Sequence, residues 1–73
     1  MIAVLGAGES GVGAALLAKQ QGYDVFVSDS GSVKDHFQNE LVSAGLEWEQ
    51  GEHNEEKILS ANLLIKSPGI PET

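Results

Sequence analysis

Four short segments of the chain have the residue pattern of β-strands. Three of them are unbroken apolar runs, which is typical of strands in a parallel sheet that is buried on both faces. The remaining one alternates apolar and acidic residues, a pattern that is also typical of a short strand. In chain order the segments are residues 2–5, 25–27, 46–49 and 63–65.

The segments between these strands have the apolar spacing of helices. The first predicted helix spans residues 11–21, is rich in alanine and ends at Gly22. The second begins at a Ser32 cap, with Asp35 as the partner in a capping box, and ends at Gly45. Its buried side is expected to hold three apolar residues, namely Phe37, Leu41 and Val42.

A third, short helix completes the alternation of strands and helices. Asn54 is its predicted cap, and Glu55 and Glu56 occupy its first turn, where the helix dipole favours acids. The resulting order, β-α-β-α-β-α-β, predicts the α/β class: a Rossmann-like parallel sheet of about four strands with helices on both faces. We interpret residues 1–73 as one domain and expect such a doubly wound sheet to continue beyond Thr73.

A glycine-rich turn follows the first predicted strand and opens the first helix, the context in which such a turn binds phosphate. Gly6 permits the tight turn, and Gly8 lets a phosphate approach the backbone. Gly11 and Gly13 let the helix pack close to the sheet. The helix N-terminus carries roughly half a positive charge and several free N–H groups, to which Ser10 adds a hydroxyl. The turn therefore predicts a phosphate site.

Two further segments lie at the ends of predicted strands, where parallel sheets bind their ligands. Asp29 ends the second strand, and its carboxylate either accepts hydrogen bonds from a ribose or a base, or caps its own turn. Ser30 offers a hydroxyl to the same ligand. The segment after the fourth strand, residues 66–71, contains Gly69, whose N–H is free to approach a ligand. Plain strand termination explains this last segment equally well.

Together these segments resemble the amino-terminal domain of the Mur ligases, most closely that of the members that add D-glutamate. The resemblance covers essentially the whole chain and rests on residues 6–13, 22–29, 51–53 and 66–71. It implies that the domain holds the UDP part of UDP-N-acetylmuramoyl-L-alanine. The implied contacts are the glycine turn with Glu9 and Ser10 at the diphosphate, Asp29 and Ser30 at the uracil, and Gly69 near the diphosphate and sugar. The implied substrate-binding residues are thus Gly8, Glu9, Ser10, Gly11, Asp29, Ser30 and Gly69.

One position departs from the family pattern. Members of the family often have an arginine directly after the acid and hydroxyl pair, where this chain has Gly31. Any charge or stacking that the arginine supplies must come from another residue, and Lys34 is the candidate.

The ligation chemistry is not expected in residues 1–73. Phosphate transfer from ATP needs a G-x-x-x-x-G-K-[ST] loop, and the sequence has none. The resemblance implies that ATP, Mg²⁺ and D-glutamate bind to other domains of the complete enzyme, which works in cell-wall peptidoglycan synthesis. We therefore predict neither catalytic residues nor a bound metal or cofactor in this chain.

A second hypothesis is an NAD(P)-binding Rossmann domain of a dehydrogenase or of a regulatory module. The glycine turn and Asp29 fit this hypothesis equally well. The Ser-Pro-Gly-Ile-Pro segment at residues 67–71 separates the two hypotheses, and it favours the Mur ligase.

Charge and composition exclude several other classes. The formal net charge is −7, with four scattered lysines and no arginine, so a nucleic-acid partner is not expected. The chain has no cysteine, and we recognise neither a signal peptide nor a membrane-spanning run, which makes the cytoplasm the expected location.

The remaining aromatic and ionisable residues receive structural interpretations. Trp48 is predicted to pack over the sheet. His36 is predicted to be exposed, and His53 has no partner that spacing identifies. We interpret the acids of the third strand and third helix as a solvated edge, namely Glu47, Glu49, Glu52, Glu55 and Glu56.

Overall fold

Strands and helices alternate along the whole of the described chain. The computed structural model describes residues 1–66. Its elements are β1 (Ile2–Leu5), α1 (Glu9–Gln20), β2 (Val25–Asp29), α2 (Asp35–Ser43), β3 (Glu47–Gln50), α3 (Glu55–Leu59) and β4 (Leu63–Lys66). Each predicted element is present, and the predicted order is confirmed.

The four strands form one parallel sheet in the order β3-β2-β1-β4. β1 lies inside the sheet, where Ile2 is in register with Val25 on one side and Leu63 on the other. The chain therefore moves outward from β1 to β3 and then returns past β1 to form β4. This reversal creates a switch point at the carboxyl ends of the strands, which is where open α/β sheets bind ligands. The predicted Rossmann-like fold is confirmed.

The main core lies between the sheet and helices α1 and α2. Val4 and Val27 of the central strands are fully buried there, together with Val12 of α1 and Leu41 of α2. Side chains alternate between the faces of a strand, so Phe26 points to the opposite face. There the Nζ atom of Lys57 in α3 lies over the Phe26 ring, 4.7 Å from its centroid. Helices therefore lie on both faces of the sheet. None of the helices in residues 1–66 is long and apolar enough to cross a membrane.

Both long helices end at the predicted glycines. Gly22 follows α1 and Gly45 follows α2, with φ of 95° and 74°. After each helix, backbone N–H groups bond back to the last free carbonyls, as in the contact from Leu46 N to Leu41 O at 3.0 Å. The predicted cap of the third helix is also confirmed, because the Asn54 side chain accepts a hydrogen bond from the Lys57 N–H.

Three local predictions are wrong. The N-cap of α2 is Lys34 rather than Ser32, and no side chain caps this helix. Val42 is 64% exposed, although the preceding residue, Leu41, is fully buried. β4 is an edge strand of the described sheet, so Leu63 is 53% exposed instead of buried. Trp48, by contrast, is partly buried against the core as predicted.

Candidate ligand-binding site

The glycine turn is shaped by Gly6 and Gly11. Gly6 has a φ of 102°, a left-handed conformation that favours glycine, and its N–H bonds to Ser28 O at 2.8 Å. Gly11 is buried against the turn, since a Cβ atom placed on it would lie 1.8 Å from Gly6 O. The first turn of α1 therefore approaches the end of β1 as closely as the sequence predicted, and only a residue without a side chain fits there.

The other two glycines of the turn are exposed. Gly8 is the N-cap of α1, with φ −87°, and no atom lies within 4 Å of a Cβ built on it. No side chain caps α1, so the positive end of this helix is open beside Gly8. Gly13 also has open space around it, and its predicted role in packing the helix on the sheet is wrong.

Asp29 connects the glycine turn to the loop between β2 and α2. Its Oδ2 accepts a hydrogen bond from the Ala7 N–H at 2.8 Å, and its Oδ1 accepts one from the Gly31 N–H at 2.8 Å. The second bond is the local turn that the sequence offered as an alternative for this residue. The first bond joins the glycine turn to the end of β2. It therefore fixes the distance between these two sides of the site.

The end of β3 supports the loop between β2 and α2 from the other side. Gln50 Oε1 accepts a hydrogen bond from the Val33 N–H at 2.8 Å, and the Gly51 N–H donates to Gly31 O at 2.9 Å. Val33 is itself buried, and its carbonyl accepts a bond from the Gln38 side chain at 2.7 Å. These bonds hold the backbone of the segment that leads into α2.

A polar cluster beside this loop surrounds the fully buried Ser28. Its hydroxyl donates to Glu49 Oε2 at 2.6 Å and lies 2.6 Å from His53 Nδ1. A hydroxyl has one proton, so His53 donates through Nδ1 and the network assigns the tautomer. The Ser28 hydroxyl gives His53 a partner that spacing along the chain did not identify, and the solvated interpretation of Glu49 is wrong. Nothing in the local sequence signals the cluster, because Ser28 lies on a different strand.

Hydrogen bonding lowers the pKa of Glu49. Partial burial opposes its charged form, but bonds from the Ser28 hydroxyl and the Asn54 N–H, with charge attraction from His53 and Lys57, outweigh that effect. The Glu49 carboxylate is therefore a structural acceptor that joins β3 to the loop before α3.

A cleft of 430 Å³ opens between the glycine turn and the start of α2. It lies at the carboxyl ends of β1 and β2, next to the open N-terminus of α1. Its lining comes from both loops and from α2, and consists of Ala7, Gly8, Glu9, Asp29, Ser32, Lys34, His36 and Phe37. The shape and position suit a ligand with a phosphate at the turn and a further group toward α2.

The cleft contains some of the predicted site residues and not others. Gly8, Glu9 and Asp29 line it together. Ser10 and Ser30 are exposed and lie outside the lining, while Gly11 is buried behind the turn. Gly69 and the rest of the Ser-Pro-Gly-Ile-Pro segment lie outside the described residues. The sequence interpretation named Lys34 but missed the two rings at the start of α2, because it treated His36 only as an exposed residue and Phe37 only as a buried one.

Comparison with known proteins identifies the family. The whole chain, residues 1–73, matches the family model described as "Mur ligase MurD-like, N-terminal domain". A UDP-N-acetylmuramoylalanine–D-glutamate ligase from Cytophaga hutchinsonii is 65% identical over 97% of this chain. Ligases of the same name from Bacteroides fragilis and Ligilactobacillus salivarius are 59% and 44% identical over 96% and 99% of it.

The chain belongs to the family of MurD-like N-terminal domains of Mur ligases. The resemblance that the sequence suggested is thus confirmed. The chain spans 16% of the length of each of these three relatives.

Proposed function

We propose that this domain holds the UDP portion of UDP-N-acetylmuramoyl-L-alanine for a ligase that adds D-glutamate to it. The observation that carries the proposal is the cleft beside Gly8, where the uncapped end of α1 meets a turn with room for a phosphate. The net charge of −7 leaves few cations for an anionic ligand, so backbone N–H groups and the helix dipole supply much of the attraction.

The names of the relatives support UDP over a dinucleotide. Each name specifies UDP-N-acetylmuramoylalanine and D-glutamate as the compounds that the ligase joins. Such a ligase acts on peptidoglycan precursors. The alternative, an NAD(P)-binding domain, shares the glycine turn and the acid after β2 but finds no support in these names. The domain contributes by positioning one substrate, which lowers the entropic part of the barrier.

The complete enzyme, on this proposal, uses ATP and forms ADP. A carboxylate of the muramoyl substrate is phosphorylated, and the D-glutamate amine then displaces phosphate from the acyl phosphate to form the new amide. Residues 1–66 do not fit ATP with Mg²⁺, because they contain neither a Walker-type loop nor a cluster of three acidic or histidine side chains that could hold a metal. No step of the ligation is therefore assigned to residues of this chain.

Calorimetric titration of the complete protein with UDP and with NAD tests the proposal. We expect UDP to bind and NAD to bind more weakly. The variant Gly8→Val places a side chain where the phosphate approaches, while the free protein has space and an extended backbone for it. Losing one charged hydrogen bond costs about 1.5–3 kcal/mol, so UDP affinity should fall at least about tenfold.

The matched control is Gly13→Ala, at the other exposed glycine of the motif, which should bind UDP as the wild type does. Tight NAD binding without UDP binding would overturn the proposal. Normal UDP binding by a folded Gly8→Val protein would show that the phosphate lies elsewhere.

A further inference from the structure

The side of the cleft formed by the start of α2 has a composition unlike the rest of the chain. Lys34, His36 and Phe37 all line the cleft there, opposite the glycine turn. Within residues 1–66, Lys34 is the single lysine that lines this cleft. We call these three residues the α2 wall. Neither the glycine turn nor Asp29 supplies a cationic or aromatic group. The α2 wall places the ammonium of Lys34 and two aromatic rings at the same cleft.

His36 and Phe37 form a ring pair that faces the cleft. Their centroids are 4.0 Å apart and the ring planes are inclined by 43°. Phe37 is half-buried and packs against the core, whereas His36 is exposed. The core thus anchors one ring, which in turn contacts the other. A planar heterocycle can lie against such a surface, because base–aromatic stacking contributes about 1–3 kcal/mol per base.

The charges around the cleft require a cation for an anionic ligand. Two carboxylates line it, from Glu9 in the first turn of α1 and from Asp29. The Asp29 oxygens are satisfied by backbone N–H groups, but Glu9 is exposed and repels a diphosphate. Lys34 lines the opposite side of the cleft, where a positive charge counters such repulsion.

The backbone around Lys34 is held in place. Its carbonyl accepts hydrogen bonds from the N–H groups of Phe37 and Gln38, at 3.0 and 2.9 Å. The preceding residue, Val33, is buried and is bonded to Gln50 of β3. The exposed ammonium of Lys34 therefore extends from a fixed position at the edge of the cleft. Gly31, in the loop before α2, has no side chain to perform this role.

We propose that the α2 wall recognises the nucleotide: the His36–Phe37 ring pair stacks on the base, and Lys34 neutralises the diphosphate. The inference rests on the proposed function and adds specificity-determining residues to it. It assigns the two halves of the ligand to different side chains, which makes each assignment separately testable.

The test measures binding of UDP, uridine and inorganic pyrophosphate to the complete protein and to variants H36A, F37L and K34Q. We expect H36A to weaken UDP and uridine about fivefold or more, the lower limit for lost stacking, and to leave pyrophosphate binding unchanged. F37L, which keeps an apolar side chain against the core, should show the same selectivity. K34Q should weaken UDP and pyrophosphate about tenfold, with a shallower dependence on salt, and spare uridine.

Exposed residues outside the cleft provide the controls. N39A on α2 and K19Q on α1 should bind all three ligands as the wild type does. If Gly8→Val abolishes UDP binding while H36A, F37L and K34Q retain it, the α2 wall has no role and the proposed function stands. If H36A and F37L change uridine and pyrophosphate binding equally, the stacking assignment is wrong. If the wild type does not bind UDP at all, both proposals fail.

Discussion

The Asp29 carboxylate accepts a hydrogen bond from the backbone N–H of Ala7, at 2.8 Å. Ala7 is a buried residue of the glycine turn, and Asp29 ends the neighbouring strand, so this bond joins two sides of the cleft. Its other oxygen holds the Gly31 N–H in the loop that leads to α2. With both oxygens engaged, Asp29 shapes the cleft even where it does not contact the ligand.

Asp29→Ala should weaken uridine-nucleotide affinity by about 1–3 kcal/mol, the cost of leaving a buried hydrogen-bonding group unpaired. The expected cause is that the Ala7 N–H loses its acceptor and the glycine turn moves relative to the loop before α2. The same variant should also lower the free energy of unfolding. Calorimetry with UDP and urea unfolding together measure the two effects.

Asp24→Ala is the matched control for this prediction, since Asp24 is exposed and residues 1–66 give its carboxylate no hydrogen-bond partner. It should change neither UDP affinity nor stability. Unchanged UDP affinity in Asp29→Ala would remove Asp29 from the site altogether.

Gly11→Ala should destabilise the domain strongly. The new Cβ would meet Gly6 O at 1.8 Å, and this neighbour is backbone, which cannot move aside as a flexible side chain can. We expect a loss of about 3 kcal/mol or more, at the upper end of the range for overpacking. Urea or thermal unfolding provides the measurement.

Gly13→Ala is the matched substitution two residues further along the same helix. It adds the same methyl group in open space and replaces glycine inside a helix, which should stabilise the domain by up to about 1 kcal/mol. If the two variants had equal stability, the close contact between α1 and the end of β1 would be wrong.

The hydrophobic pattern predicted the elements and the glycines predicted their ends, because both signals are local. Gly22 and Gly45 end their helices where the sequence placed them. The prediction failed where partners are distant in sequence. Ser28 and His53 meet only after β2 and β3 pair, and the exposure of Leu63 follows from the position of β4 at the edge of the described sheet.

The candidate site likewise combines residues that a local sequence pattern predicts with residues that only the fold brings together. The glycine turn and Asp29 were recognisable because their spacing along the chain reflects a known phosphate-binding turn. His36 and Phe37 belong to the site because α2 packs with its start against the same cleft. Two adjacent residues at the start of a helix do not indicate a binding site, because one of them can be simply exposed and the other packed in the core.

Ser28→Ala should lower the free energy of unfolding by about 1–3 kcal/mol, the usual cost of removing a buried hydrogen-bonding partner. The substitution leaves Glu49 and His53 without the hydroxyl that joins them. A double-mutant cycle with Glu49→Ala, which removes the acceptor oxygen, should give a coupling energy different from zero, because the two side chains are in direct contact. Ser43→Ala, an exposed serine of α2, provides the control and should be neutral. Independent, additive effects of Ser28→Ala and Glu49→Ala would contradict the hydrogen bond between these two side chains.

The lowered pKa of Glu49 predicts a loss of stability in acid. A carboxylate whose pKa is lower in the folded chain than its usual value of 4.5 stabilises the fold at pH values above that number. Its contribution is lost as the pH falls through the folded-state pKa, because protonation removes the negative charge that strengthens the bonds from the Ser28 hydroxyl and the Asn54 N–H. Solvent contact keeps the effect modest. Unfolding measured by urea between pH 6 and pH 3 should therefore show a shallower pH dependence in Glu49→Gln than in the wild type. Glu40→Gln, which removes an exposed carboxylate of α2, should retain the wild-type slope. Identical pH dependence in the wild type and Glu49→Gln would show that Glu49 does not hold the loop before α3 to the sheet.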